Sequence, residues 1–195
     1  MADNAFGPFF RLGTEHIFTG YDHLVFLFGL LAGCTRWRSV LWLLTCFTLG
    51  HSLTLALATL DVVSVPARIG EPLIALTLVL VGAENFWQRD RPSEAEPRGR
   101  YPVTVLFGLV HGFGFASVLR ELGVGRAGGG IAQPLLGFNL GVEAGQIAFA
   151  ALVLPAFWWL RRRPGFVRRG LPALSLLMAG IGLYWLAERL MNPAT

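Results

Sequence analysis

The run Gly13-Thr14-Glu15-His16-Ile17-Phe18-Thr19-Gly20-Tyr21-Asp22-His23-Leu24-Val25-Phe26-Leu27-Phe28-Gly29-Leu30-Leu31-Ala32-Gly33 decides how the rest of the chain is read. A helix rising 1.5 Å per residue needs about 20 residues to cross a hydrocarbon core of about 30 Å. This stretch has that length and is mostly apolar, yet it keeps His16, Asp22 and His23. A charged side chain at the centre of a membrane helix costs roughly 2.5–3.5 kcal/mol on insertion scales, so several retained together imply a shared use. His51, His111, Glu71, Glu84 and Glu143 also lie inside or at the edge of apolar runs.

The chain of 195 residues is 54% hydrophobic and only 14% charged, which places it among integral membrane proteins. Apolar runs and polar breaks predict an all-α, polytopic bundle of six transmembrane helices near 13–33, 39–60, 69–87, 102–119, 134–160 and 171–190, forming one domain over 1–195. The net charge of +4 does not indicate a nucleic-acid partner, because all sixteen basic residues are arginines concentrated between apolar runs. Eleven of them fall after the first, third and fifth helices and five on the other side, which predicts extracytoplasmic termini and a multi-pass protein of the inner membrane. Cys34 and Cys46 match neither a disulfide framework nor a CxxC metal clip. The N-terminus lacks the pattern of a removable signal peptide.

Depth along straight helices puts His23, His51 and His111 about 15, 18 and 14 Å from the cytoplasmic face, which predicts that they approach a common point near mid-membrane. His16 and His23 share a helical face but stand about 10 Å apart along the axis, too far for one ion, so two stations, or one ligand and one gate, are expected. Asp22 either ligates directly or orients His23 by accepting its second N–H. On the second helix Thr48, His51 and Ser52 share a face; His51 reads as a ligand supported by Ser52, while Thr45 and Thr48 read as helix glue. Gly108, Gly112 and Ala116 form a small-residue face that lets another helix close on His111. Asn139, Glu143 and Gln146 share a face suited to cation passage. Glu71 reads as an outer vestibule charge, and Glu84 as an exit group or, preferably, a headgroup-level side chain.

These residues carry a resemblance to the HupE/UreJ family of membrane proteins. The segments are His16 to Phe26, Gly50-His51-Ser52-Leu53-Thr54-Leu55, Phe107 to Ala116, and Phe138 to Gln146, on four of the six expected helices. The resemblance implies a nickel or cobalt permease. After His111 the chain continues Gly112-Phe113-Gly114-Phe115-Ala116 in place of the His-plus-Glu signature of the better-studied nickel permeases, so it resembles a second branch.

The sequence therefore leads to a transporter of a divalent transition metal (nickel, cobalt or zinc), with His16, Asp22, His23, His51, His111, Glu71 and Glu143 as candidate ligands. Imidazole and carboxylate donors suit these ions, and the lack of thiolate or methionine clusters argues against copper(I). The rival reading is an intramembrane zinc hydrolase or acyltransferase acting on a lipid or membrane protein, with Asp22, Ser52 and Glu143 as its catalytic groups. The partners expected are the metal ion and the bilayer, and a homo-oligomer is left open.

Overall fold

The computed structural model describes residues 5–88, 99–125 and 130–192, and among them every regular element is helical. The charged loop segment 89–98 and positions 126–129, with Arg89, Arg91, Arg98 and Arg126, lie outside the described residues. Five helical stretches are long and apolar enough to cross a membrane: Trp37–Thr59, Ala67–Trp87, Arg100–Glu121, Ala132–Arg161 and Phe166–Met191.

The first expected span differs from a straight helix. It starts earlier, at Phe6, where the exposed Arg11 and Glu15 pair one turn apart at 2.7 Å, and it breaks at Gly20 into α1 (Phe6–Thr19) and α2 (Tyr21–Ala32). Gly20 itself is extended, with φ −81° and ψ 96°. Its N–H still donates to the His16 carbonyl and its own carbonyl accepts from Leu24, so one residue joins the halves with those backbone groups satisfied.

Then follow α3 (Trp37–Thr59) and α4 (Ala67–Trp87). The expected helix over 102–119 is also interrupted: α5 (Arg100–Gly112) tightens into a 3₁₀ turn at Phe113–Phe115 before α6 (Ala116–Glu121). The chain ends with α7 (Ala132–Arg161), a π-helical turn at Phe166–Gly170, and α8 (Leu171–Met191). α3 ends in a Schellman closure: Val62 N–H reaches the Leu57 carbonyl, Asp61 N–H reaches that of Ala58, and Asp61 takes φ 58°. Arg120 ties the end of α6 to that closure, donating to the Ala58 carbonyl and the Asp61 carboxylate at 3.1 Å each.

The bundle is built from three tight pairs, α1 with α7, α3 with α5, and α4 with α8. Small residues set them, because membrane helices gain association energy from close packing rather than from water exclusion. In the first pair Gly137, Gly141 and Gly145 face Phe6, Phe10 and Ile17 in rising order, so α1 and α7 run parallel. In the second, Gly50, Gly108 and Gly112 abut the backbones of Val105, Phe47 and His51, with no room for a Cβ. This is the close approach that the Gly108/Gly112 spacing predicts. α4 and α8 run antiparallel, Gly82 facing Ala179 and Gly182 facing Val79.

Two buried apolar clusters result. One joins Phe26, Leu30, Leu43, Phe47, Leu78 and Leu154, and the other joins Ile17, Leu55, Leu119, Phe138 and Val142. Glu84 is not a free headgroup-level carboxylate: its side chain accepts from the buried Arg100 at 3.2 Å, and Arg100 also donates to Asn85 at 2.7 Å. Asn85 in turn donates to the Gly29 carbonyl at 2.7 Å, and Arg161 to that of Ala32 at 2.8 Å, so two arginines secure the C-terminal end of α2.

Candidate metal centre

The break at Gly20 changes the geometry of the first two histidines. Instead of lying about 10 Å apart on one straight helix, His16 on the last turns of α1 and His23 on the first turn of α2 bring their ring centroids to 4.5 Å. The two separate stations expected for them are therefore replaced by one. With His51 of α3 they place one ligand nitrogen each within 4.8 Å of one another. The close approach requires glycine at position 20: a Cβ there would stand 2.7 Å from His23 Nδ1 and 3.1 Å from the His16 carbonyl oxygen.

His111 of α5 stands beside the triad, its ring centroid 5.0 Å from that of His23. His51 and His111 are both fully buried, and His23 is 7% exposed. Phe26, Phe47, Phe115 and Phe138 wall the imidazoles: Phe115 lies 4.3 Å from the His16 ring, Phe26 4.9 Å from that of His111, and Phe47 and Phe138 flank His51. The phenylalanines offer no donor that would compete for the ring nitrogens.

Three of the four imidazoles are nevertheless tethered. His23 Nδ1 contacts Asp22 Oδ1 at 3.0 Å, His51 Nδ1 contacts Asn139 Oδ1 at 3.3 Å, and His111 Nε2 contacts Thr77 Oγ1 at 3.0 Å. Among the described residues, His16 Nε2, His23 Nε2, His51 Nε2 and His111 Nδ1 are buried without a hydrogen-bond partner. A buried ring nitrogen without a partner is costly. Those of His16, His23 and His51 converge from α1, α2 and α3 and fit a divalent ion, with the His111 ring beside them, and the opposite nitrogens of His23, His51 and His111 are held as those of metal-binding imidazoles usually are.

The remaining candidates stand outside this convergence. Asp22 has both carboxylate oxygens engaged: Oδ1 accepts from the His23 backbone and ring, and Oδ2 accepts from Arg189 at 3.3 Å. Of the two roles open to it, this geometry matches orienting His23. Arg189 also donates to the Glu71 carbonyl oxygen at 2.9 Å, which pins the end of α8 over the start of α4. Glu71 and Glu143 are not in the histidine cluster; Glu143 accepts from Thr45 at 2.7 Å, and Gln146 from Thr48 at 3.3 Å, in the seam between α3 and α7. Thr45 and Thr48 therefore do join helices, and Glu143 is the group Thr45 holds. Ser52 is half-buried next to His51. Thr77 and Arg189 were not singled out from the sequence; the only signal available was a polar side chain within, or at the end of, an apolar helix.

Fold and site together define a multi-pass helical membrane protein with a buried histidine cluster at a helix break. A family model described as HupE / UreJ protein matches residues 1–189, and the chain belongs to that family. No curated protein and no solved structure matches it.

Proposed function

We propose that the protein is a transporter of a divalent transition metal across the inner membrane, with nickel, cobalt and zinc as the candidate ions and both termini outside the cytoplasm. The observation that carries this reading is the convergence of His16, His23 and His51 within 4.8 Å, with each Nε2 buried and unpartnered. Membership of a family associated with nickel and cobalt transport supports the same assignment. The break at Gly20 supports it as well, since transporters commonly build ion sites where a membrane helix is interrupted and its ends face the cargo. α1 and α2 together would make the sixth crossing, and the Thr45 to Gln146 seam would line the way past the cluster.

Three imidazoles about one point also resemble a catalytic zinc site with an open position. Asp22 is the nearest carboxylate to serve such a site as general base, and it is already committed to His23 and Arg189. That commitment favours transport. Uptake of Ni²⁺, Co²⁺ and Zn²⁺ into proteoliposomes tests the proposal: uptake of at least one ion, abolished in His51→Ala, is expected, and no uptake of any of the three overturns it.

A further inference from the structure

The histidines do not offer the same nitrogen. Thr77 Oγ1 lies 2.7 Å from the Ile74 carbonyl oxygen and 3.0 Å from His111 Nε2. A hydroxyl has one hydrogen, and a carbonyl can only accept. At 2.7 Å the Thr77 hydrogen must lie between the two oxygens, since without it they would repel. Thr77 Oγ1 then has only a lone pair to offer His111, so Nε2 of His111 carries the ring proton and Nδ1 is left bare.

The same counting gives the opposite result for His51. Asn139 Nδ2 donates to the Leu135 carbonyl at 2.8 Å, which fixes the amide so that Oδ1 faces His51 Nδ1. An amide oxygen only accepts, so His51 carries its proton on Nδ1 and leaves Nε2 bare. His23, whose Nδ1 faces the Asp22 carboxylate, follows His51. The three nitrogens left bare in this way, His23 Nε2, His51 Nε2 and His111 Nδ1, are the same ones that are buried without partners.

We propose that Thr77 and Asn139 are positioning residues that lock opposite imidazole tautomers, so that His111 presents Nδ1 while His51 presents Nε2 toward the ion, with His23 between the two. His23 stands nearly edge-on to both His16 and His111, at interplanar angles of 65° and 78°. It is thus the histidine through which an ion held by the His16, His23 and His51 triad would reach His111. This deepens the transport reading and rests on it for the identity of the ligand, but the tautomers belong to the metal-free protein.

The test uses the full chain in detergent micelles, labelled with ¹⁵N-histidine and stripped of metal, at a mildly alkaline pH where imidazoles are neutral. His111 signals are assigned by their loss in His111→Gln. Two-bond ¹⁵N–¹H correlation is expected to show the ring proton on Nε2 for His111 and on Nδ1 for His23 and His51. Thr77→Val should abolish the Nε2–H preference and weaken Co²⁺ binding by about 10–100-fold, while Thr77→Ser, which restores the hydroxyl, should keep both. A ring proton on Nδ1 of His111 in the wild type, or a Thr77→Val variant unchanged in tautomer and affinity, overturns the inference. If Thr77→Val does not fold, the wild-type tautomers and Thr77→Ser still decide. A wild-type protein that binds none of Co²⁺, Ni²⁺ and Zn²⁺ overturns the transport reading instead, and the inference then stands or falls on the tautomers.

Discussion

Replacing Gly20 by alanine isolates the feature that gathers the cluster. The backbone at Gly20, φ −81° and ψ 96°, lies outside the left-handed region, so alanine adopts it and the effect is steric. The added Cβ would sit 2.7 Å from His23 Nδ1. Non-bonded heavy atoms settle at about 3.5 Å or more, so the ring must retreat by about 0.8 Å. A retreat of that size takes the 3.0 Å contact between His23 Nδ1 and Asp22 beyond about 3.2 Å, the outer end of good hydrogen-bond geometry, and moves Nε2 away from His16 and His51. Loss of such an orienting contact typically lowers metal affinity by about 10–100-fold, or about 1.4–2.8 kcal/mol. Calorimetric titration of Ni²⁺, Co²⁺ or Zn²⁺ into wild type and Gly20→Ala should show this loss, with thermal midpoints within a few degrees of each other. Gly7→Ala is the control, since a Cβ there meets nothing within 4 Å. Equal affinity in Gly20→Ala and wild type would refute the argument that the Gly20 contact sets the His23 geometry.

Asp22→Asn leaves Arg189 without its anion at a half-buried site; it is expected to cost about 3 kcal/mol of stability, and Arg189→Gln in the same chain should recover part of that, as read by a double-mutant cycle of unfolding. Gly108→Ala places a Cβ against the Phe47 carbonyl and should destabilise the α3/α5 pair by about 1–3 kcal/mol, whereas Gly180→Ala, with open space around it, should leave the thermal midpoint unchanged. Glu143→Gln changes a group that Thr45 holds outside the histidine cluster, so it should slow ion flux in proteoliposomes while equilibrium affinity stays near wild type. Dialysis against a weak chelator should empty the wild-type protein of metal by mass spectrometry, and stoichiometric zinc that survives dialysis and is lost in His51→Ala would favour the enzyme reading.

What the sequence made legible was whatever a single helix carries by itself. Apolar length located the five long helices to within a few residues, and the Gly108/Gly112 spacing announced the α3/α5 contact because helical periodicity alone puts those residues on one face. What it hid were the two interruptions. The Gly112-Phe113-Gly114-Phe115 segment sits in a largely apolar run, the polar residues around Gly20 read as site residues on one helix, and glycine in a membrane helix reads as packing unless the neighbour that needs the space is known. For Gly20 that neighbour is the His23 ring, which arrives there only because the helix has already broken. The partners of the imidazoles were hidden for a similar reason: Thr77, Asn139 and Arg189 lie 34, 88 and 167 residues from His111, His51 and Asp22, beyond the reach of any local pattern.

The charge balance of the assembled cluster bears on what it can do with an ion. Imidazoles must be neutral to ligate, and the carboxylate beside them, Asp22, is matched by Arg189 at 3.3 Å. A divalent ion held by His16, His23 and His51 would thus bring nearly its full charge into a phenylalanine-walled pocket with no net anion to offset it. Desolvation in such surroundings is expensive, so donor nitrogens alone would bind the ion more weakly than a site with bound carboxylates or thiolates. An ion in passage must leave again, and weaker binding suits it. On the transport proposal, the Asp22 to Arg189 pair would keep the histidine cluster from becoming a trap. Arg189→Gln should therefore tighten equilibrium metal binding while slowing release, a combination that isotherms and flux measurements on the same preparation would separate; weaker binding in that variant would refute the electrostatic argument.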